Sequence, residues 1–438
     1  MTPAARVATA IEILADILAA VDSDGASADV ILKAAFRARR YAGSKDRAAI
    51  TDLVYGVLRR RASLTWALGN VPATVRALML AALASDGADV AALFAGGGYG
   101  ASPLSDEEQA LLQRLRAYSA APPLCTQLEI PPWLLPQLER RFGDRLQEEM
   151  AALNERAPLD IRVNIKRITI KDAQARLLAE GIEAAPLNRS PLGLRAASGA
   201  KVTATALYRD GLIDIQDEAA QIASLMATPE QGGLVVDLCA GAGGKSLTMA
   251  AACEAPLIIE AFDIDASRLD DLKARAARAQ AHNITATLLP EYGEGRAALL
   301  APFAGKADVV VVDAPCSGTG TWRRNPELRW RLTPERLTAL TGLQARLIRE
   351  GAGLVKPSGR LIYMTCSLLR QEDEDIVNDF LQENPSFARC VYRSMSKRLK
   401  VMPDTRAADD HDLLLTPAQH ACDGFYLSAL TALIAPMS

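Results

Sequence analysis

The stretch Leu234-Val235-Val236-Asp237-Leu238-Cys239-Ala240-Gly241-Ala242-Gly243-Gly244-Lys245 is a short apolar run that breaks into glycines. The run predicts a buried strand. The glycines predict a tight turn in which the backbone approaches a ligand closely before a helix begins. Such a turn also has a purely structural use, so its neighbours must decide. Downstream, Leu257–Asp263, Val309-Val310-Val311-Val312-Asp313 and Leu361–Thr365 are further apolar runs separated by helical periodicity. Strand and helix in alternation predict a doubly wound, Rossmann-like α/β sheet with its ligands at the carboxyl ends of the strands.

The residues at those strand ends carry the chemistry. The second strand ends in Asp263, where an acid commonly bonds the ribose hydroxyls of a nucleoside-containing cofactor. The glycine loop and this acid suit either a dinucleotide or S-adenosylmethionine, although the loop lacks the G-x-G-x-x-G spacing of the dinucleotide fingerprint. The third strand runs into Asp313-Ala314-Pro315-Cys316-Ser317-Gly318-Thr319-Gly320 and the fourth into Thr365-Cys366-Ser367. One cysteine at a strand end is ordinary packing; two at the ends of one sheet point to thiol chemistry. Methylation of cytosine at C5 needs it, because C5 is a poor nucleophile until a thiolate adds at C6 and a proton donor assists near N3. A free thiol is only partly ionised at neutral pH, so its surroundings must help. Asp313, preceded by valines, is expected to be held protonated by burial and to donate to the base. The pattern alone leaves open which cysteine attacks.

The rest of the chain surrounds this domain. With 438 residues, two or three domains are expected. Apolar positions at Val7, Ile11, Leu14, Leu18 and Val21 recur at helical spacing, two further periodic runs follow Ser27 and Ser44, and Leu78, Met79, Ala82 and Leu83 carry a fourth. Ser105 and Glu108 have capping-box spacing ahead of Leu111 and Leu112. Residues 1–120 therefore read as an all-α bundle. Pro122-Pro123 and Pro131-Pro132 bracket a linker. Residues 131–220 read as a small α/β subdomain, with a helix around Leu134–Phe142, a strand at Ile161–Asn164 and a helix capped by Thr169. The catalytic domain is placed at 221–438.

Charge and cysteine usage narrow the function classes. The formal net charge of −3 argues against coating nucleic acid with the whole surface. Residues 1–61 hold ten Lys/Arg against seven Asp/Glu, a local +3. The mixture of cations and aromatics after Cys316, with Arg323, Arg324 and Arg329 beside Trp322 and Trp330, suits contact with unpaired RNA. Seven cysteines without a C-x-x-C pair and only three histidines predict no metal site. Without a signal peptide or an apolar membrane span, a cytoplasmic protein is expected, and we expect a monomer.

These motifs closely resemble the RsmB/Sun (Fmu) family of RNA 5-methylcytosine methyltransferases. The family's cofactor loop D-L-C-A-A-P-G-G-K-T is matched from Asp237 to Ser246, with Gly241, Ala242 and Ser246 departing. D-A-P-C-S is matched from Asp313 to Ser317 and T-C-S from Thr365 to Ser367, while the family's following proline is Arg370. Arg162-Val163-Asn164, Gln216-Asp217-Glu218-Ala219-Ala220 and Asp423-Gly424-Phe425 are further landmarks. The resemblance implies a NusB-like RNA-binding domain at the N-terminus and 16S rRNA as substrate. It implies S-adenosylmethionine held by Cys239, Ala240, Gly241, Ala242, Gly243, Gly244, Lys245, Asp263 and Asp313. Glu294 stands where the family has an aspartate near the adenine. It also implies that Cys366 is the nucleophile and that Cys316 helps release the methylated RNA. The rival readings are methylation of tRNA or DNA, and a non-catalytic RNA-binding factor.

Overall fold

The structure is a computed structural model that describes residues 1–23, 25–117, 121–395, 397–407 and 410–434. The chain forms two units, one of Met1–Glu155 with Trp322–Pro334, the other of Arg156–Thr321 with Glu335–Ser438.

The larger unit is built on two sheets. The first contains β1 (Leu159–Val163), β2 (Ala184–Pro186), β3 (Gly193–Ala196) and β4 (Ile213–Ile215), in the order β2-β3-β1-β4 and antiparallel throughout. Its apolar face closes over the helix Ile170–Ala179 through Ile161, Val163, Leu194, Ala173 and Leu177. Thr169 caps that helix by accepting the Asp172 N–H at 3.1 Å, the role its sequence position predicts.

The second sheet contains β5 (Gly233–Asp237), β6 (Leu257–Asp263), β7 (Ile284–Leu288), β8 (Ala307–Asp313), β9 (Val355–Thr365), β10 (Phe387–Arg389), β11 (Leu413–Leu415) and β12 (Phe425–Ala432). Its order is β10-β12-β9-β8-β5-β6-β7, with β11 alongside β12. Strands β5 to β9 pair in parallel and β12 pairs antiparallel with β9, giving a Rossmann-like methyltransferase sheet. The apolar runs expected as four strands are β5, β6, β8 and β9. Val235, Ile259, Val309, Val311 and Ile362 join the core beneath the helices Glu218–Ala227 and Gly244–Ala252.

Buried polar contacts tie the two sheets together. Asn164 Nδ2 donates to the Ala279 carbonyl at 3.0 Å. Asp160 accepts Arg195 Nε at 2.6 Å and the Glu218 N–H at 3.0 Å. Thr248 donates to Gln216 Oε1 at 2.7 Å, and Asp217 Oδ1 accepts the N–H of Asp423 at 3.1 Å. The polar landmarks of the sequence are therefore joints between sheets and helices.

The smaller unit is helical. Its core gathers Ile13, Leu14, Ile17, Ile50, Val54, Leu58, Leu78, Leu80 and Phe94. The capping box forms as expected: Ser105 N–H donates to Glu108 Oε2 at 3.0 Å, and Glu108 N–H to Ser105 Oγ at 3.2 Å. The third helix begins at Ser44 itself, with Gly43 as its cap. The unit also runs past residue 120, the expected limit. The region between the proline pairs contains the helical turn Leu124–Gln127, and Glu129 accepts the Ala62 N–H at 2.8 Å.

Candidate active site

The loop after β5 owes its shape to two left-handed glycines. Gly243, at φ +78, caps the helix Gly244–Ala252, and a Cβ there would fall 2.5 Å from Leu272 Cγ. Gly241, at φ +53, has open space where a side chain would stand. An accessible backbone cradle of this kind suits a nucleoside cofactor. Asp263 closes one side of the cradle: its carboxylate accepts the N–H of Gly241 at 2.8 Å and that of Asp265 at 2.9 Å. Ala242 and Ala240 are partly exposed along the same loop, and the Ala242 carbonyl accepts Arg275 NH1 at 2.5 Å. Beneath the loop, burial pushes the Asp237 carboxyl up to about 6, although Ser246 donates to it at 2.6 Å. Burial likewise pushes the Cys239 thiol well up, reinforced by the charges of Asp237 and Asp313.

Glu294 is exposed at the start of the helix Glu294–Leu300, which follows β7, the neighbour of β6. Arg296, two residues on, fixes that loop with a bidentate pair to Glu350 at 2.7 and 2.6 Å and a bond to the Pro290 carbonyl.

The two cysteines meet. β8 and β9 are adjacent parallel strands, and their carboxyl ends bring Cys316 Sγ to 3.4 Å from Cys366 Sγ. Hydrogen bonding to Cys366, then burial, then the charges of Cys366 and Glu372 push the Cys316 thiol well up. Cys316 therefore favours its protonated form, within hydrogen-bond reach of Cys366. Beside this pair, Lys245 is bonded to the Asp313 carboxylate and lies 5.2 Å from the centre of the Phe425 ring. Burial lowers the Lys245 ammonium's pKa, but the charge and hydrogen bond of Asp313 more than offset it and hold it raised. Asp313 is thus half of an ion pair with a 28% exposed side chain, not the isolated acid in an apolar site that its valine neighbours suggested.

Both cysteine loops rest on residues that the sequence did not single out. Glu372 accepts the Ser317 N–H at 2.7 Å, and Thr319 Oγ1 accepts the Leu368 N–H at 2.7 Å. Glu372 lies in Arg370-Gln371-Glu372-Asp373-Glu374, a charged run that reads as solvated surface, yet it is 0% exposed.

Two of the three expected RNA contacts, Arg323 and Arg329, need correction. Arg323, Arg324 and Arg329 belong to the helical unit. Arg329 is 1% exposed: its NH1 donates to the Glu129 carbonyl at 3.0 Å and to Asn154 Oδ1 at 2.6 Å, and its guanidinium stacks 4.7 Å from the Trp322 ring. Arg323 is also buried, and Arg324 is partly exposed. Burial against protein removes Arg329 and Arg323 from any RNA surface in this structure. No group of side chains among the described residues has the make-up of a metal site, and no helix among them is long and apolar enough to cross a membrane.

Strand order, glycine cradle and strand-end acid define a Rossmann-like domain of the S-adenosylmethionine-dependent methyltransferase class. Residues 224–431 match the family 16S rRNA methyltransferase RsmB/F and residues 130–203 its ferredoxin-like domain, so the chain belongs to the RsmB/F methyltransferase family. It is 28% identical over 307 residues to the ribosomal RNA small subunit methyltransferase B of Pasteurella multocida, a match covering 69% of this chain and 65% of that protein. The crystal structure of PH0851 superposes with a TM-score of 0.77 at 23% identity, covering 98% of this chain and 99% of that one. A methyltransferase homologue from Pyrococcus horikoshii gives 0.58 at 23% identity, over 70% of this chain and 97% of its own. At these identities the two structures speak to fold alone.

Proposed function

We propose that the protein methylates C5 of a cytosine in RNA, with 16S rRNA as substrate. The observation that carries this reading is the sulfur pair, 3.4 Å apart at the ends of adjacent strands and beside the Lys245–Asp313 ion pair. A scaffold has no use for two thiols in contact at a sheet end, whereas thiolate addition to a pyrimidine needs one sulfur to attack and gains from a second that carries a proton.

In this reading the loop Cys239–Lys245, Asp263, Glu294 and Asp313 hold S-adenosylmethionine, which supplies the electrophilic methyl group. The cradle fits it, because Gly241 leaves the backbone open and Asp263 lies at the end of β6. Cys366 adds to C6 of the base. Lys245 and Asp313 lie beside the two sulfurs and orient the ring edge at N3. After C5 takes the methyl group and loses its proton, the Cys366–C6 bond breaks with help from Cys316. The base must be unpaired or flipped to reach a pocket at strand ends. The RNA partner also engages the helical unit, read as NusB-like. Exposed Arg37, Arg40 and Lys45 flank Tyr41 in the sequence, and Tyr41 is 70% exposed; cations with an aromatic suit single-stranded RNA. Such a substrate places the enzyme in the cytoplasm.

Cys316→Ala should accumulate a covalent protein–RNA species on denaturing gels with 16S rRNA and S-adenosylmethionine, and the double variant with Cys366→Ala should not. A trapped species that survives loss of Cys366 would reverse the two roles.

A further inference from the structure

Glu372 lies five residues beyond Ser367 and is fully buried. Its Oε1 accepts the Ser317 N–H at 2.7 Å and Gln344 Nε2 at 3.0 Å. Its Oε2 accepts the hydroxyl of Ser367 at 2.5 Å and that of Ser317. Its backbone carbonyl accepts the Tyr363 hydroxyl at 2.6 Å. Gln344 Nε2 also donates to the Pro315 carbonyl at 2.9 Å. One carboxylate therefore grips the residue after Cys316 and the residue after Cys366, and through Gln344 it reaches the residue before Cys316. A buried carboxylate is costly unless its oxygens are satisfied, and these donors satisfy it.

Its charge is also asymmetric with respect to the two sulfurs. Cys316 lies against Cys366, and the Glu372 charge is among the causes that push its thiol up. Cys366 lies within electrostatic reach of the Lys245 ammonium, itself paired with Asp313. An anion bears on one sulfur and a cation on the other.

We propose that Glu372 is the positioning residue of the cysteine pair: it clamps the two loops so that the sulfurs touch, with its carboxylate held on the Cys316 side. This rests on the cysteine roles proposed above. In the release step the C5–H bonding pair becomes the C5=C6 double bond and the C5 proton passes to solvent water. The C6–S bond breaks with its electron pair returning to the Cys366 sulfur. The Cys316 S–H, on the sulfur 3.4 Å away, receives the leaving thiolate in a hydrogen bond. Cys316 keeps its own proton throughout, so the step needs no further proton donor.

The test measures initial iodoacetamide alkylation of each cysteine against pH by peptide mass spectrometry, on the full chain without RNA or cofactor. Methyl transfer to 16S rRNA is assayed separately. In the wild type, Cys316 should react only at high pH. Glu372→Gln should bring the Cys316 midpoint down. It should slow transfer by about tenfold or more while KM for S-adenosylmethionine stays within about twofold. Glu372→Asp keeps the charge but withdraws it by one methylene, so it should leave the Cys316 midpoint in place and still slow transfer. A folded Glu372→Gln protein with an unchanged Cys316 profile would overturn the proposal. Should that variant not fold, wild-type transfer by Glu372→Asp would do so. If the wild type methylates no cytosine, the proposed function fails, while the alkylation profiles still report whether Glu372 governs Cys316.

Discussion

His420 is 1% exposed, and its ring is held at both nitrogens. The Thr416 N–H donates to Nδ1 at 2.9 Å, and Nε2 lies 2.8 Å from the Asp404 carbonyl, so the neutral ring carries its proton on Nε2. Burial, with Arg189 nearby, lowers the ring to about 4. An unfolded chain takes up this proton near pH 6.5, so the native state is penalised as pH falls from about 6.5 to about 4. The loss approaches about 3 kcal/mol at the acid end. Asp237 runs the other way: its carboxyl is raised to about 6, so its contribution to stability declines as pH rises from about 4 to about 6. The two partly cancel in the whole protein, and a difference measurement is needed to separate them. Gln at 420 can accept from Thr416 and donate to Asp404 without titrating. Urea melts of wild type and His420→Gln should therefore be parallel above pH 7 and diverge in favour of the variant below pH 6. Melts that stay parallel down to pH 4 would show that the ring is not held neutral.

At the scale of elements, backbone contacts join the loop after β8 to the end of β9 and to the turn before β12. Gly320 N–H donates to the Cys366 carbonyl at 2.9 Å, and Gly424 N–H donates to the Gly320 carbonyl at 2.8 Å. A Cβ on Gly320 would stand 2.2 Å from the Gly424 oxygen, and one on Gly424 2.6 Å from Gly320 Cα. Backbone against backbone cannot yield as a flexible side chain would. Gly320→Ala should cost about 2–4 kcal/mol and shift the Cys366 loop, read as a lower Tm together with an altered Cys366 alkylation rate; a wild-type value of both would show that the loops can separate. The sequence displayed both glycines, yet nothing in it paired them, because close approach is a property of the folded sheet. Strand legibility followed the same physics. β5, β6, β8 and β9 lie in the buried centre and were readable as apolar runs. β7 is an edge strand, Ile284-Thr285-Ala286-Thr287-Leu288, with its residues only partly covered, and it offers no such run. The order of the strands, and the antiparallel insertion of β12 beside β9, depend on pairings that periodicity does not encode. The cysteine meeting was half legible: location at strand ends came from the pattern, adjacency from the sheet order. Glu372 was illegible, since a lone acid in a charged run shows no sign of the donors that converge on it.

At the scale of the molecule, the helical unit takes in a segment from far along the chain. Trp330 packs against its core and donates from Nε1 to the Leu58 carbonyl at 2.8 Å. Arg331 reaches the carbonyls of Gly25 and Ala26 at 2.8 and 2.5 Å, and Glu327 accepts the Ala28 N–H at 3.2 Å. The sequence presented these arginines and tryptophans as RNA-facing because the same residue types serve both purposes. What separates the two uses is burial, and burial depends on a partner surface some three hundred residues away in the chain, at the start of the second helix. The consequence is testable with fragments. Residues 1–155 lack Trp322–Pro334, and so lose the cap on the Ala28 N–H and the partners of Glu129 and Asn154. A synthetic 322–334 peptide should bind that fragment and raise its Tm by about 5 °C or more, through the ordinary linkage of binding to stability. The same peptide with Trp330→Ala and Arg329→Ala should bind much more weakly. A fragment ending at residue 120 should be less stable than one ending at 155, because it also loses the Glu129 carboxylate that accepts the Ala62 N–H at 2.8 Å and the Ser63 N–H at 3.2 Å. If a scrambled peptide stabilised residues 1–155 as well as the native one, the segment would not be an integral part of the helical unit, and its arginines would again be available to RNA.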